Sequence, residues 1–261
     1  SAELSKLSAT KRAFAFTQED GSVLAWGSPD SGGDHSSVAD QLASGVINLI
    51  GGYHAFAAIK EDGSVVTWGD PSYGGDSSNV AALLTSGVKD IIAAKGAFAA
   101  IKVDGSVITW GQAPCGGDSS DVATQLSSDV AEIVANQSAF AALKGDGTLI
   151  SWGSTDNEGY GQAIAYTDTN IKEVFANKFA FAAIKDDGGL VTWGHSSYGG
   201  DSSSVQTELS SGVKEVSGNY FAFAALKEDG SVVTWGKSSH GGDSSSVADQ
   251  LVGVKSIIAS N

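Results

Sequence analysis

The side chains in this sequence best placed to do chemistry are a set of recurring carboxylates. The tripeptide Gly-Gly-Asp occurs five times and places Asp34, Asp76, Asp118, Asp201 and Asp243 in equivalent loops. A ring of such carboxylates can hold calcium or a hydroxyl-rich ligand. The same text also serves a structural end, because an Asp ahead of Ser-Ser caps a short helix while the glycine pair makes the turn. Residue type alone leaves both readings open. The four histidines, His35, His54, His195 and His240, share no metal-ligand spacing, and Cys115 is the only cysteine. A disulfide framework and a cysteine-based zinc site are therefore excluded. No nucleophile elbow, phosphate-cradling glycine loop, zincin helix or calcium-loop signature occurs. An enzyme would have to assemble a central-channel site from residues far apart in sequence.

A second set of residues is defined by variation. Just before Gly-Gly-Asp stand Ser31, Tyr73, Cys115, Tyr198 and His240, and two residues past a repeated Trp stand Ser28, Asp70, Gln112, Ser154, His195 and Lys237. A fixed loop that displays changing side chains is how repeat scaffolds present binding surfaces. Neutral drift on an exposed loop leaves the same pattern. Tyr73, Tyr198 and His240 are the leading ligand-binding candidates, with Asp70 and His195 beside them, because aromatic rings anchor protein partners and stack on sugars.

Thirty acidic residues against fifteen basic ones give a formal charge of −15. Such a chain repels phosphate backbones, and no basic cluster offsets the repulsion, so nucleic acid and anionic membrane are poor partners. No apolar run approaches the length of a membrane span. The chain opens on Ser1-Ala2 and contains no Met, as an excised piece or a tagged polypeptide would. Its Gly and Ser richness favours an extracellular or cell-surface setting. A monomer without cofactors is expected.

These residues are positioned by a repeat. Trp-Gly recurs at Trp26, Trp68, Trp110, Trp152, Trp193 and Trp235, at spacings of 42, 42, 42, 41 and 42. Self-similarity at this period announces a stacked or circular array, and its continuity predicts one domain over 1–261. Each Trp closes a passage such as Ala55-Phe56-Ala57-Ala58-Ile59 then Asp62-Gly63 then Val65-Val66-Thr67-Trp68. Two apolar runs around Asp-Gly predict a β-hairpin whose tight turn draws positive φ angles from that dipeptide. Because the runs are apolar on both faces, the hairpins are expected between other sheets. The six Trp and Phe14, Phe56, Phe98, Phe140, Phe181 and Phe223 form the expected repeat core.

Before each hairpin lies a β-branched segment such as Val46–Ile50 or Val88–Ile92, whose Val-x-x-Ile spacing breaks period two and predicts a bulge or a short edge strand. Leu4 and Leu7 predict a degenerate first copy. Val/Leu pairs four apart, such as Val38 and Leu42 or Val80 and Leu84, predict a short helix per repeat that ends near Gly45, Gly87 or Gly212. The fourth repeat lacks Gly-Gly-Asp, and Ala163–Tyr166 is a candidate extra strand there. The last residues, Val254–Asn261, copy the pre-hairpin segment, so a C-terminal strand is expected to dock beside the first sheet and close the array.

The combination Ala58-Ile59, Asp62-Gly63, Val65 and Trp68-Gly69, with five equivalents, resembles the repeats of the regulator of chromosome condensation family of β-propellers over nearly the whole chain. Tyr160-Gly161-Gln162 is the nearest approach to that family's Gly-Gln after Trp-Gly. Three departures stand out. Ala13, Ala55, Ala97, Ala139, Ala180 and Ala222 occupy a position where the family usually has His, the repeat is shorter, and six copies replace the usual seven. The resemblance implies an all-β, six-bladed propeller with a short helix per blade. The function expected from it is a non-catalytic module that binds proteins through its loops. The alternatives are a lectin-like glycan binder, with or without calcium, and an enzyme.

Overall fold

A computed structural model describes residues 7–154 and 169–259. Among these residues the strands form six three-stranded sheets, each paired in simple sequence order. The first holds β1 (Leu7–Ala9), β2 (Ala13–Thr17) and β3 (Val23–Gly27). The second holds β4 (Val46–Gly51), β5 (Ala55–Lys60) and β6 (Val65–Gly69), and the third β7 (Val88–Ala93), β8 (Ala97–Lys102) and β9 (Val107–Gly111). The fourth holds β10 (Val130–Ala135), β11 (Ala139–Lys144) and β12 (Leu149–Gly153). The fifth holds β13 (Ile171–Ala176), β14 (Ala180–Lys185) and β15 (Leu190–Gly194), and the sixth β16 (Val213–Gly218), β17 (Ala222–Lys227) and β18 (Val232–Gly236). The chain falls into two compact units, Ser1–Ile133 and Val134–Asn261.

Each hairpin forms where the repeat predicts, with a different turn. Lys60 N–H donates to the Ser64 carbonyl at 2.9 Å and Gly63 N–H to the Lys60 carbonyl at 2.8 Å, which makes Glu61-Asp62-Gly63 a three-residue loop. Only Gly63 takes a positive φ, +74°. Asp62 stays in the ordinary region and uses its carboxylate instead, accepting from Ser64 N–H at 2.9 Å and Ser64 Oγ at 2.6 Å. The aspartate therefore ties down the turn that glycine bends.

Within the first unit, Ala13, Ala15 and Val23 of the first sheet pack against Phe56, Ala58, Val66 and Trp68 of the second. Ala55, Ala57 and Ile59 then pack against Phe98, Ala100 and Trp110 of the third. The second unit repeats the joint. Ala139, Ala141 and Leu149 meet Phe181, Ala183 and Trp193, and Ala180, Ala182 and Ile184 meet Phe223, Ala225 and Trp235. One face of every hairpin is thus small and the other large, so successive sheets interlock, and each fully buried Phe contributes about 1.5–3 kcal/mol. On the large face Phe56 lies opposite Trp68, stacked at 5.1 Å between ring centroids.

The first sheet departs from the expected core. Five of the six Trp are buried, whereas Trp26 is 51% exposed and Phe14 45%, although the two still stack at 5.6 Å. The large face of each later sheet in a unit is covered by the small face of the sheet before it. Trp26 and Phe14 belong to the first repeat, and the described chain supplies no earlier sheet to cover them.

The pre-hairpin segments are edge strands, and β4, β7, β13 and β16 each carry a register shift, so the bulge and the edge position both hold. β1 approaches β4, and β4 approaches β7; in the second unit β13 approaches β16. The first strand of each later sheet therefore lies against the first and second strands of the sheet before it within a unit.

The expected short helices are 3-10 turns. One type runs Ser36–Val38, Ser78–Leu83, Ser120–Val122, Ser203–Val205 and Ser245–Gln250; another, directly after Trp-Gly, runs Pro29–Ser31, Pro71–Tyr73, Ala113–Cys115, Ser196–Tyr198 and Ser238–His240. The stretch between the Asp turn and the next strand is too short to repay nucleation of an α-helix. The Val/Leu pairs still work as anchors: Leu42, Leu84, Leu126 and Leu209 are buried.

The C-terminal strand is not formed, for Leu251–Ala259 carries no ladder. Val254 N–H donates to the Gly230 carbonyl and Ala259 N–H to Ser217 Oγ, both at 2.9 Å. In the other sheets this segment pairs with the Ala-Phe-Ala strand that follows it, and the described residues hold no such partner for Leu251–Ala259. The matching edge of β2 is held by β1, with Leu7 opposite Phe16 and Ala9 opposite Phe14. Leu4, Tyr160-Gly161-Gln162 and the Ala163–Tyr166 strand lie outside the described residues. No helix among the described residues is long and apolar enough to cross a membrane.

Candidate functional site

In five of the sheets, among the described residues, antiparallel pairing brings two loops to the same end: the tripeptide between the first and second strands, and the 3-10 turn after Trp-Gly. In the second unit both loops are held by asparagine. Asn177 Oδ1 accepts from Phe179 N–H at 2.8 Å and Ala180 N–H at 2.7 Å, while its Nδ2 donates to the Tyr198 carbonyl at 2.6 Å. Asn219 does the same for Phe221, Ala222 and the His240 carbonyl. One side chain thus pins the tripeptide and the 3-10 turn together, and the rings they carry meet.

The result is a run of aromatic contacts. His195 lies 4.0 Å from Tyr198, Tyr198 lies 5.1 Å from Phe179 and 5.0 Å from Phe221, Phe179 stacks on Phe221 at 5.6 Å, and Phe221 meets His240 edge-on at 4.7 Å. Lysines cap the run. Lys237 Nζ stands 5.1 Å from the Phe221 ring and 5.5 Å from Tyr198, and Lys178 Nζ stands 4.9 Å from Tyr220 and 5.5 Å from Phe179. Ammonium groups over ring faces gain about 0.5–1 kcal/mol at exposed sites and leave their N–H donors free for an anion.

The first unit has a smaller version. Tyr53, His54 and Tyr73 form a cluster, with His54 4.8 Å from Tyr73 and 4.6 Å from Tyr53. Lys11 and Lys95 stand 4.7 and 5.2 Å from the Tyr53 ring, and Lys11 Nζ also donates to Tyr53 Oη at 2.6 Å. His54 Nδ1 is 2.8 Å from Ser31 Oγ. Among the described residues the cations stacked on these rings are lysines, in a chain with twice as many acidic as basic residues.

The predicted candidates divide between roles. Tyr73, Tyr198 and His240 sit within the clusters. Asp70 and His195 cap their own turns, Asp70 Oδ1 accepting from Ser72 N–H at 2.9 Å and His195 Nδ1 from Ser197 N–H at 3.2 Å. Burial lowers the His195 pKa, so the ring is neutral near pH 7. Ser31 and Cys115 are buried. Tyr53, Phe179, Tyr220 and Phe221 were not anticipated. They occupy the tripeptide ahead of Ala-Phe-Ala, which also varies between repeats, and that variation was the available signal.

The repeated aspartates serve their own loops. Asp34, Asp76, Asp118, Asp201 and Asp243 are exposed, and each accepts the N–H of the Ser two residues on at 2.8–2.9 Å. Those hydrogen bonds hold each carboxyl below its ordinary pKa. No three His, Cys, Asp or Glu side chains among the described residues are grouped to hold a metal ion.

Six three-stranded sheets in sequential order, built from one recurring hairpin, define a repeat protein of the propeller type. Solved structures place it more closely. The chain is similar in fold to yeast RCC1 (Prp20) in its complex with Kap60, at 16% identity and a TM-score of 0.51, over 88% of this chain and 69% of that one. It is similar also to human WBSCR16, at 14% identity and a TM-score of 0.54, over 92% of this chain and 79% of that one. The fold is RCC1-like. Neither a family model nor a curated protein sequence matches the chain.

Proposed function

We propose that the chain is a non-catalytic binding module of the RCC1 type, which holds protein partners against the aromatic and lysine surfaces at the loop end of its sheets. The observation that carries this reading is the run His195–Tyr198–Phe179–Phe221–His240 with Lys178 and Lys237 against it. Rings that are already packed lose little side-chain entropy on binding, and ammonium groups beside them select carboxylates. The matching partner is a peptide segment in which Asp or Glu alternates with apolar side chains. The complex of yeast RCC1 with Kap60 is a protein complex of a similar fold and agrees with this reading.

A peptide array of such acidic, apolar segments tests it. The wild-type chain retains a subset, and Lys237→Glu together with Lys178→Glu loses that subset while keeping the wild-type melting temperature. Retention unchanged in the double variant would sink the proposal. Tyr220, which is exposed, supports a second reading as a sugar-stacking platform. A glycan array on which Tyr220→Ala and Tyr198→Ala lose signal, with no peptide retained, would select that reading.

A further inference from the structure

One position of the repeat gathers cations in a chain that is otherwise acidic. The second residue before each Ala-Phe-Ala is, in chain order, Lys11, Tyr53, Lys95, Gln137, Lys178 and Tyr220. Within a unit, packing of successive sheets sets such a residue beside its counterpart in the next repeat. In the first unit the order Lys-Tyr-Lys gives one ring two ammonium groups: Lys11 Nζ stands 4.7 Å and Lys95 Nζ 5.2 Å from the centroid of Tyr53. In the second unit the same position gives a single pair, with Lys178 Nζ 4.9 Å from Tyr220.

Both lysines are held in place. Lys11 N–H donates to the Tyr53 carbonyl at 2.9 Å and Lys11 Nζ to Tyr53 Oη at 2.6 Å, so the backbone and the tip of the side chain are anchored on one residue. Lys95 stands between Ala94 and Gly96, both buried, in a turn closed by Ala94 N–H on the Ala97 carbonyl at 2.9 Å. The ring itself is braced by His54, which meets it edge-on at 4.6 Å and is held in turn by Ser31 Oγ at 2.8 Å. Among the described residues no carboxylate pairs with either ammonium. Each is a donor without an acceptor, and two like charges held on one ring repel until an anion joins them.

We propose that Lys11 and Lys95 hold a phosphoryl dianion, that of a phosphate monoester or of free phosphate, with Tyr53 as the residue that positions them. A phosphoryl group carries a charge near −2 above its second pKa of about 6 and presents oxygens that only accept. Two ammonium groups match that charge and supply only donors, whereas a carboxylate would neutralise one of them. The overall charge of −15 does not oppose this at close range, because at about 0.15 M salt exposed charges more than about 8 Å away are largely screened. The peptide reading rests on Lys178 and Lys237 and on neither of these lysines, so either can fail without the other.

An amide NMR titration of the full chain at about pH 7.5 tests it with methyl phosphate and methyl sulfate, which share a shape and differ by one charge. Methyl phosphate is expected to saturate in about the millimolar range, with shifts centred on Lys11, Tyr53 and Lys95. Methyl sulfate is expected to bind about tenfold more weakly. Lys11→Gln and Lys95→Gln each weaken methyl phosphate about tenfold at an unchanged melting temperature, while Lys95→Arg retains it. Tyr53→Leu keeps both charges and is expected to weaken binding as much, since nothing then gathers them. Inorganic phosphate that binds as well as methyl phosphate assigns the site to the free ion, and a phosphoserine peptide that binds more tightly than either assigns it to a modified partner. No saturation, equal affinity for methyl sulfate, or shifts spread over lysines elsewhere overturns the proposal. So does wild-type binding by Tyr53→Leu or by the double variant Lys11→Gln with Lys95→Gln.

Discussion

Trp68 donates its indole N–H to the carbonyl of Gly32, thirty-six residues earlier, at 2.9 Å, while Phe56 fills the space where a Gly32 side chain would stand. One glycine thus accepts the hydrogen bond and the ring stack of the next repeat together. Trp68→Phe keeps the ring and strands a buried acceptor, at an expected cost of about 1–3 kcal/mol. Urea unfolding measures it as a lower midpoint with an unchanged slope.

The same motif position has different weight in different repeats. Phe98 is fully buried between the second and third sheets, so Phe98→Ala is expected to cost about 3–5 kcal/mol. Phe14→Ala, at the equivalent position on the open first sheet, is expected to stay within about 0.5 kcal/mol. Equal losses at dilute concentration would show that the first sheet's face is covered in solution.

That contrast marks what could be read from residue order. The hairpins and the small and large faces follow from local text that every repeat shares, and the buried Leu42, Leu84, Leu126 and Leu209 from text that all but the fourth share. The exposure of Trp26 does not, since its neighbours in sequence match those of Trp68 and only its place in the array differs. A 3-10 turn and an α-helix both bring Val38 near Leu42, so spacing did not separate them. Tyr73, Tyr198 and His240 were visible as variation after Trp-Gly. Phe179 and Phe221 join them only because Asn177 and Asn219 fasten two loops that are about twenty residues apart in the chain.

The hairpin aspartates make the fold acid-sensitive. Asp20, Asp62, Asp104, Asp146 and Asp229 have pKa values lowered by hydrogen bonds from the Ser or Thr two residues on. A carboxyl lowered in the folded state stabilises the fold above its unfolded value, near 3.8, and the contribution is lost as pH falls through the folded pKa. Asp62→Asn is therefore expected to lower the melting temperature at pH 7, with the gap to wild type closing as pH falls below about 4. A gap that persists at pH 2 would show that the carboxylate charge has no part in it.

His195 gives the opposite group the same sense of pH dependence. Its pKa is lowered by burial against Tyr198, so the folded chain binds fewer protons than the unfolded one between the folded pKa and the ordinary value of 6.5. Stability therefore rises with pH through that window and is complete above 6.5. Protonation at Nδ1 would also remove the acceptor that caps Ser197. His195→Asn preserves an acceptor at this place, as Asp70 does in the second repeat, and cannot titrate. Wild type and variant are expected to melt with a constant difference above pH 6.5, the wild type losing ground below it. Parallel curves from pH 5 to 8, taken by thermal unfolding, would mean that His195 has the same pKa in the folded and unfolded chain.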